Sequence, residues 1–270
     1  MAAEIPALPA LRGRFPFRLG TTSYIIPAEI VPNVRALAGT VDDVELVLFE
    51  SEAACNLPDA ETVGELRRLA AENALSYTVH LPLDARLGER DERERRRSVE
   101  KCLAVAERVR EVEPLAWTVH FDADGPGRAA PADARAWRAA LERSARELLD
   151  SGIEPRRLCV ETLGYPFEAV EDVVAELDLS VCLDVGHLLM YGHSLEAYLV
   201  RYLPRCRVVH LHGVIDGQDH GDLSGLPRND LALLVALLCA GEGDARVVTL
   251  EVFNAADLAK SLAILEELAG

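Results

Sequence analysis

The chain has 270 residues, half of them apolar, with 45 acidic against 28 basic side chains and a net charge of −17. That is enough apolar material for a sizeable core, no run approaches the roughly 20 uninterrupted apolar residues of a membrane span, and the negative charge repels a polyphosphate backbone. Neither a nucleic-acid nor a membrane partner is expected, the proline-broken N-terminus has no signal-like apolar core, a cytoplasmic location is expected, and a cation-binding site is easily accommodated.

Behind an extension over residues 1–16, "FRLGTTSY" (17–24) reads as a first strand, and "PAEIVPNVRALAG" as a helix starting behind a proline. "DVELVLFE" (43–50) is a second strand, followed by "DAETVGELRRLAAENA" with apolar residues at helical spacing. "LSYTVHLP" (75–82) leads to the long helix "DERERRRSVEKCLAVAERVREV", whose "DERERRR" run reads as a solvated face because acids interleave the arginines. "LAWTVHF" (115–121) precedes "PADARAWRAALERSARELLDSG"; "RLCVET" (157–162) precedes "PFEAVEDVVAEL"; "LSVCLD" (179–184) precedes "SLEAYLVRYL". "RVVHLHGV" (207–214), then "LPRNDLALLVALLCAG", then "ARVVTLEVF" (245–253) and "AADLAKSLAILEELAG" complete eight strand–helix units. No linker divides them, so one domain over residues 1–270 with a single (β/α)8 TIM barrel is expected; no phosphate-binding glycine turn follows the first strand, which disfavours an open doubly wound sheet. The six cysteines form no CxxC pair and read as reduced, buried small residues.

Histidines and acids fall at the strand ends. His80 closes the third strand, His120 the fourth, Glu161 the fifth, Asp184 the sixth with His187 three residues on, His210 the seventh with His220 in its loop, and Glu251 the eighth. A barrel brings all carboxyl ends to one face, so these residues form one ring, and imidazole with carboxylate suits Zn, Mn or Fe. At this ligand count two or three divalent ions are more natural than one. His212 also points inward by alternation, and Asp216 and Asp219 are both candidates from the loop before His220. "TVHLPLD" (78–84) and "TVHFDAD" (118–124) form a weak local repeat, each placing an Asp four residues after its His. Glu50, ending the second strand, is a substrate contact, a proton-transfer group or a solvated rim carboxylate; His193 suits a surface role.

The order His, His, Glu, Asp-x-x-His, His, loop His, Glu resembles the xylose isomerase-like superfamily of barrels and its endonuclease IV-like members. "LGTTSYIIPAEIVPNVRALA", "VDDVELVLFES", "YTVHLPLDARLG", "CVETLGYPFE", "SVCLDVGHLLMYGH", "VVHLHGVIDGQDH" and "VVTLEVF" resemble, more specifically, the bacterial cobamide-remodelling phosphodiesterases, over about residues 19–262. The resemblance implies hydrolysis of the phosphoester in the nucleotide loop of cobalamin-like corrinoids, giving the lower-ligand riboside and a cobinamide phosphate. It implies His80, His120, Glu161, Asp184, His187, His210, His220 and Glu251 as metal ligands, with Glu161 bridging two metals and Glu251 opposite; Glu161, Glu251 and His120 are the expected catalytic set. Where endonuclease IV-like proteins carry an Asp two residues before the loop His, this chain has Gln218: Asp216 or Asp219 takes that place, or one metal is held differently or is absent. For a small-molecule corrinoid substrate the loops offer Tyr24, Glu50, Asn56, Tyr165, Phe167, His212 and Asp219, although the aromatics are slightly better suited to packing the loops. A sugar isomerase or epimerase with one divalent metal on Glu161, Asp184, His210 and Glu251 is the alternative, and a non-catalytic corrinoid carrier or sensor a third reading.

Overall fold

Parallel strands rich in Val and Leu need both faces covered, and a helix after each strand covers the outer one. The computed structural model describes residues 8–50, 55–122, 133–241 and 246–269. Eight strands pair in parallel: β1 (Arg18–Thr22), β2 (Asp43–Val47), β3 (Ser76–His80), β4 (Trp117–Val119), β5 (Leu158–Glu161), β6 (Ser180–Asp184), β7 (Cys206–Leu211) and β10 (Val247–Leu250). They close as a barrel because β1 hydrogen-bonds to both β2 and β10. The expected single TIM barrel is the observed architecture, and among the described residues no helix is long and apolar enough to cross a membrane.

Outward-facing Leu46, Val79, Val119, Val160, Leu183, Val209 and Val248 bury against the surrounding helices, each stabilising the fold by roughly 1.5–3 kcal/mol. Those helices are α1 (Ile30–Leu37), α2 (Ala60–Asn73), α3 (Glu92–Val109), α4 (Ala134–Asp150), α5 (Glu171–Glu176), α6 (Val185–Met190), α7 (Leu195–Tyr202), α8 (Arg228–Ala240) and α9 (Ala255–Ala269). Side chains of Asp59, Asp91, Asp133 and Ser194 accept backbone N–H groups at the starts of α2, α3, α4 and α7, which sets where those helices begin. Inside the barrel, Ala116, Cys159, Cys182 and Val208 make a small apolar plug. The polar ring sits above it at the carboxyl ends.

Four sequence expectations change. The loop after β7 is a hairpin, β8 (Gly213–Ile215) and β9 (Gln218–Gly221), turning at Asp216-Gly217, both with positive φ, as a two-residue hairpin turn requires. "DVGHLLM" forms the extra helix α6, while "PFEAVEDVVAEL" breaks into a 3₁₀ turn at Phe167–Ala169 and the short α5. The "DERERRR" run is not wholly solvated: Arg95 is buried, with ion pairs to Glu92 and to Glu147 (2.7 Å) and a bond to Ser144 (2.9 Å) that tie α3 to α4. Cys102, Cys159, Cys182 and Cys206 are buried as expected, but Cys55 and Cys239 are exposed. Residues 1–7 of the extension, residues 51–54 of the second loop and Asp124 of the local repeat lie outside the described residues.

Candidate metal centre

The parallel strands deliver six side chains to one end of the bore. His80, Glu161 and Asp184 are the last residues of β3, β5 and β6, His210 is next to last in β7, and His120 and Glu251 follow directly on β4 and β10. Asp184 also caps α6, accepting the His187 backbone N–H at 2.7 Å, so this short helix aims His187 back over the ring.

Glu161 is the hub. One oxygen lies 3.2 Å from His80 Nε2 and 3.1 Å from His120 Nε2; the other is 3.3 Å from His187 Nδ1, which is also 3.3 Å from Asp184. His210 Nδ1 faces three carboxylates, Glu251 at 3.2 Å, Glu161 at 3.6 Å and Asp184 at 3.9 Å. His220, brought over by the hairpin in a left-handed conformation (φ 57°), stands 3.7 Å from Glu251. Asp219 Oδ2 lies 3.9 Å from His187 Nε2 and 3.7 Å from His220 Nε2. Of the two loop acids, the structure brings in Asp219 and leaves Asp216 exposed in the hairpin turn.

Such a set of buried carboxylates is unstable without cations. Burial by itself would raise the Glu161 carboxyl, but the His120 and His210 imidazoles outweigh it and hold it well below the usual carboxylate range. Burial likewise opposes charge on His80 and His187, yet the facing acids, Glu161 foremost for His80 and Asp184 for His187, push them up to about 9 and about 11. A metal ion held among these donors would answer the same field. His210 Nδ1 and Glu251 Oε2 are both buried and, among the described residues, have no hydrogen-bond partner, although they face each other at 3.2 Å. A cation shared between these two atoms would satisfy both. Donor atoms gather within 4.8 Å of one another in several overlapping sets, among them His80, His120 and Glu161; His80, His210 and Glu251; and His187, Asp219 and His220.

A family model for the xylose isomerase-like TIM barrel matches residues 36–268. The chain belongs to the xylose isomerase-like TIM barrel family. Among solved structures, this barrel is similar to endonuclease IV from Thermus thermophilus (22% identity, TM-score 0.65, covering 93% of this chain and 99% of that one). It is similar too to a D-tagatose 3-epimerase-like protein (19% identity, TM-score 0.68, 93% and 96%) and to the IolI protein solved with a binding zinc atom (11% identity, TM-score 0.70, 93% and 98%). At these identities the likeness is one of fold. A comparison with curated proteins finds no match.

Several of the expected contacts have partners within the fold. Tyr165 is buried at 1% exposure, its hydroxyl donating to the Phe121 carbonyl (2.8 Å) and its ring edge against Trp137, so it packs its loop and offers a substrate no surface; Phe167 is equally buried. His212, placed by sequence at the substrate, is fully buried: Nδ1 accepts the His220 N–H (2.9 Å) and Nε2 faces Asp184 (3.1 Å). It holds the hairpin and Asp184 in place. Tyr24 and Asn56 bond to each other (2.7 Å) and link the loops after β1 and β2, with buried Asn33 pinning the first of these through the Ile25 and Ile26 N–H groups. Glu50 does not end β2, which stops at Val47; it is partly exposed in the loop, bridged to Cys55. Asp84 is exposed and paired with Lys101, and His193 bonds the Gly164 carbonyl.

Three residues were missed. Glu45, a lone acid among apolar neighbours in "DVELV", reaches His210 Nε2 at 3.1 Å; an acid in mid-strand with an inward parity was the available signal. Asp122 lies 3.9 Å from His120 Nδ1. Gly186 passes so close to the His212 ring that a Cβ would overlap it, a constraint no sequence pattern carries.

Proposed function

We propose that this protein is a metal-dependent hydrolase that cleaves the phosphoester of the nucleotide loop of cobamides, releasing the lower-ligand riboside. The carrying observation is the breadth of the donor ring: His80 and His120 on one side of Glu161, and His187, Asp219 and His220 on the other, are more donors than one ion can use. Divalent ions held there would supply positive charge against the phosphodiester and lower the pKa of an attacking water. The chain's own residues do the rest. Glu161, with an oxygen towards each side of the ring, joins the two halves; Glu251, lying between His210 and His220, closes the far side. Beside the ring, Phe253 (41% exposed), packed at a steep angle against His220, presents apolar surface suited to a large, mostly apolar ligand. The choice of a corrinoid rests on the motif resemblance set out above.

One observation favours a second reading. His210 Nδ1 stands within 3.9 Å of Glu161, Asp184 and Glu251 together, a four-ligand set sufficient for a single-metal sugar epimerase. The two readings part on one experiment: metal analysis of the purified protein, and incubation with adenosylcobalamin with the products separated by chromatography. Two or more metals per chain and a released riboside, lost in Glu161→Gln, are expected. About one metal and an intact corrinoid would refute the phosphodiesterase reading and direct assays to ketoses.

A further inference from the structure

Below the donor ring, in the bore of the barrel, lies a carboxylate with no evident structural duty. Glu45 is fully buried at the centre of β2 and reaches across the bore to β7, where its Oε1 meets His210 Nε2 at 3.1 Å. Its other neighbour there is the Thr118 hydroxyl, at a long 3.4 Å, and among the described residues its Oε2 has no partner at all. A buried carboxyl oxygen left without a hydrogen-bond partner is costly to the fold unless something else needs it. The acid one step down the same strand, Asp43, is in a different situation, with both oxygens hydrogen-bonded by Ser76 and Thr78.

We propose that Glu45 is the positioning residue of the metal centre: by accepting a hydrogen bond from the Nε2–H of His210 it fixes that ring's tautomer and aims Nδ1 as the ligating atom. An imidazole donates from one nitrogen and offers its lone pair from the other, so a fixed acceptor at Nε2 leaves the lone pair on Nδ1, the atom that faces Glu251, Glu161 and Asp184. The neighbouring His212 holds the same tautomer but turns its other nitrogen towards the ring. Its Nδ1 accepts a backbone N–H, which leaves the proton on Nε2 towards Asp184, so of the His210-Leu211-His212 pair only His210 presents a lone pair to the ring. A carboxylate behind a ligating histidine also makes it a stronger donor. The chemistry needs nothing from Glu45 beyond this, since it lies below the ring and away from the mouth.

This inference rests on the metal-centre reading, and the experiment separates the two. Zinc affinity is measured by chelator competition for the wild type, Glu45→Gln, His210→Ala and the double variant, with the melting temperature of each metal-free protein alongside. Glu45→Gln keeps the size and removes the charge; it is expected to weaken zinc binding about 10- to 100-fold, to leave the metal-free melting temperature unchanged or higher, and to add nothing once His210 is gone. Unchanged affinity with a lowered metal-free melting temperature would make Glu45 a purely structural group and overturn the proposal. A wild type that binds no divalent ion would overturn the metal centre itself. Should Glu45→Gln not fold, the ¹⁵N imidazole signals of zinc-loaded wild type decide: Nε2 protonated and Nδ1 ligated on His210 is expected, and the reverse tautomer refutes it.

Discussion

Gly186 offers a sharp test of how the site is packed. A Cβ built on it falls against Cε1, Nδ1 and Nε2 of His212, all at less than 3.0 Å, so Gly186→Ala forces either the ring or the first turn of α6 to move. Neither is free. The helix start is pinned by Asp184 accepting the His187 N–H (2.7 Å), and the ring is held by the His220 N–H (2.9 Å) and by Asp184 (3.1 Å). Overpacking of this kind costs about 1–3 kcal/mol, and breaking a buried hydrogen bond adds about 1 kcal/mol. For a chain of this size the sum corresponds to a fall in melting temperature of roughly 5–10 °C. The assay is thermal unfolding by circular dichroism of metal-free protein, paired with metal content after loading, which should drop because Asp184 loses its support. Gly64→Ala is the control: this glycine is exposed in α2 with nothing within 4 Å of a new Cβ, so the change should stabilise by about 0.5–1 kcal/mol. A Gly186→Ala protein that melts with the wild type and loads metal fully would refute the packing argument.

Further outcomes follow from the charges and the buried groups. In chelated protein, His80 (about 9) and His187 (about 11) hold protons in the fold more tightly than in the unfolded chain, where histidine titrates near 6.5. Their stabilisation is therefore complete below about pH 6.5 and lost as pH rises through about 9 to 11; melting temperature should fall over that window with EDTA and stay flatter with metal, and identical profiles would count against the charged ring. Asp43, raised by burial to about 6, has the opposite chemistry: the fold keeps a proton that the unfolded chain releases, so stability declines from about pH 4 to 6. Asp43→Asn should remove up to roughly 3 kcal/mol of that decline, read as the difference between the two pH–stability curves. Tyr165→Phe deletes the bond to the Phe121 carbonyl and should destabilise by about 1 kcal/mol in denaturant titrations while leaving KM unchanged; a KM effect would return this residue to the substrate.

Local patterning was enough for the frame of the molecule. Alternation within strands such as "LAWTVHF" and the strand–helix spacing decide the fold class, because each unit has one apolar surface to cover and a closed parallel barrel covers them all. The same periodicity placed His80, His120, Glu161, Asp184, His210 and Glu251 at strand ends, and closure does the rest by bringing those ends together. His187 and His220 were legible by spacing alone, although the helix and the hairpin that carry them were not.

What the sequence left open depends on distances through space. Asp216 and Asp219 are equivalent as letters, and only the positive-φ turn at Asp216-Gly217 turns one away and the other inward. Tyr165 and His212 look available for a ligand until the helices close over them, and Arg95 looks solvated until α4 supplies Glu147. Glu45 and His210 are 165 residues apart and meet only because the barrel closes. Strand periodicity says which side of a strand a side chain leaves from; what stands across the bore is set by closure of the whole sheet.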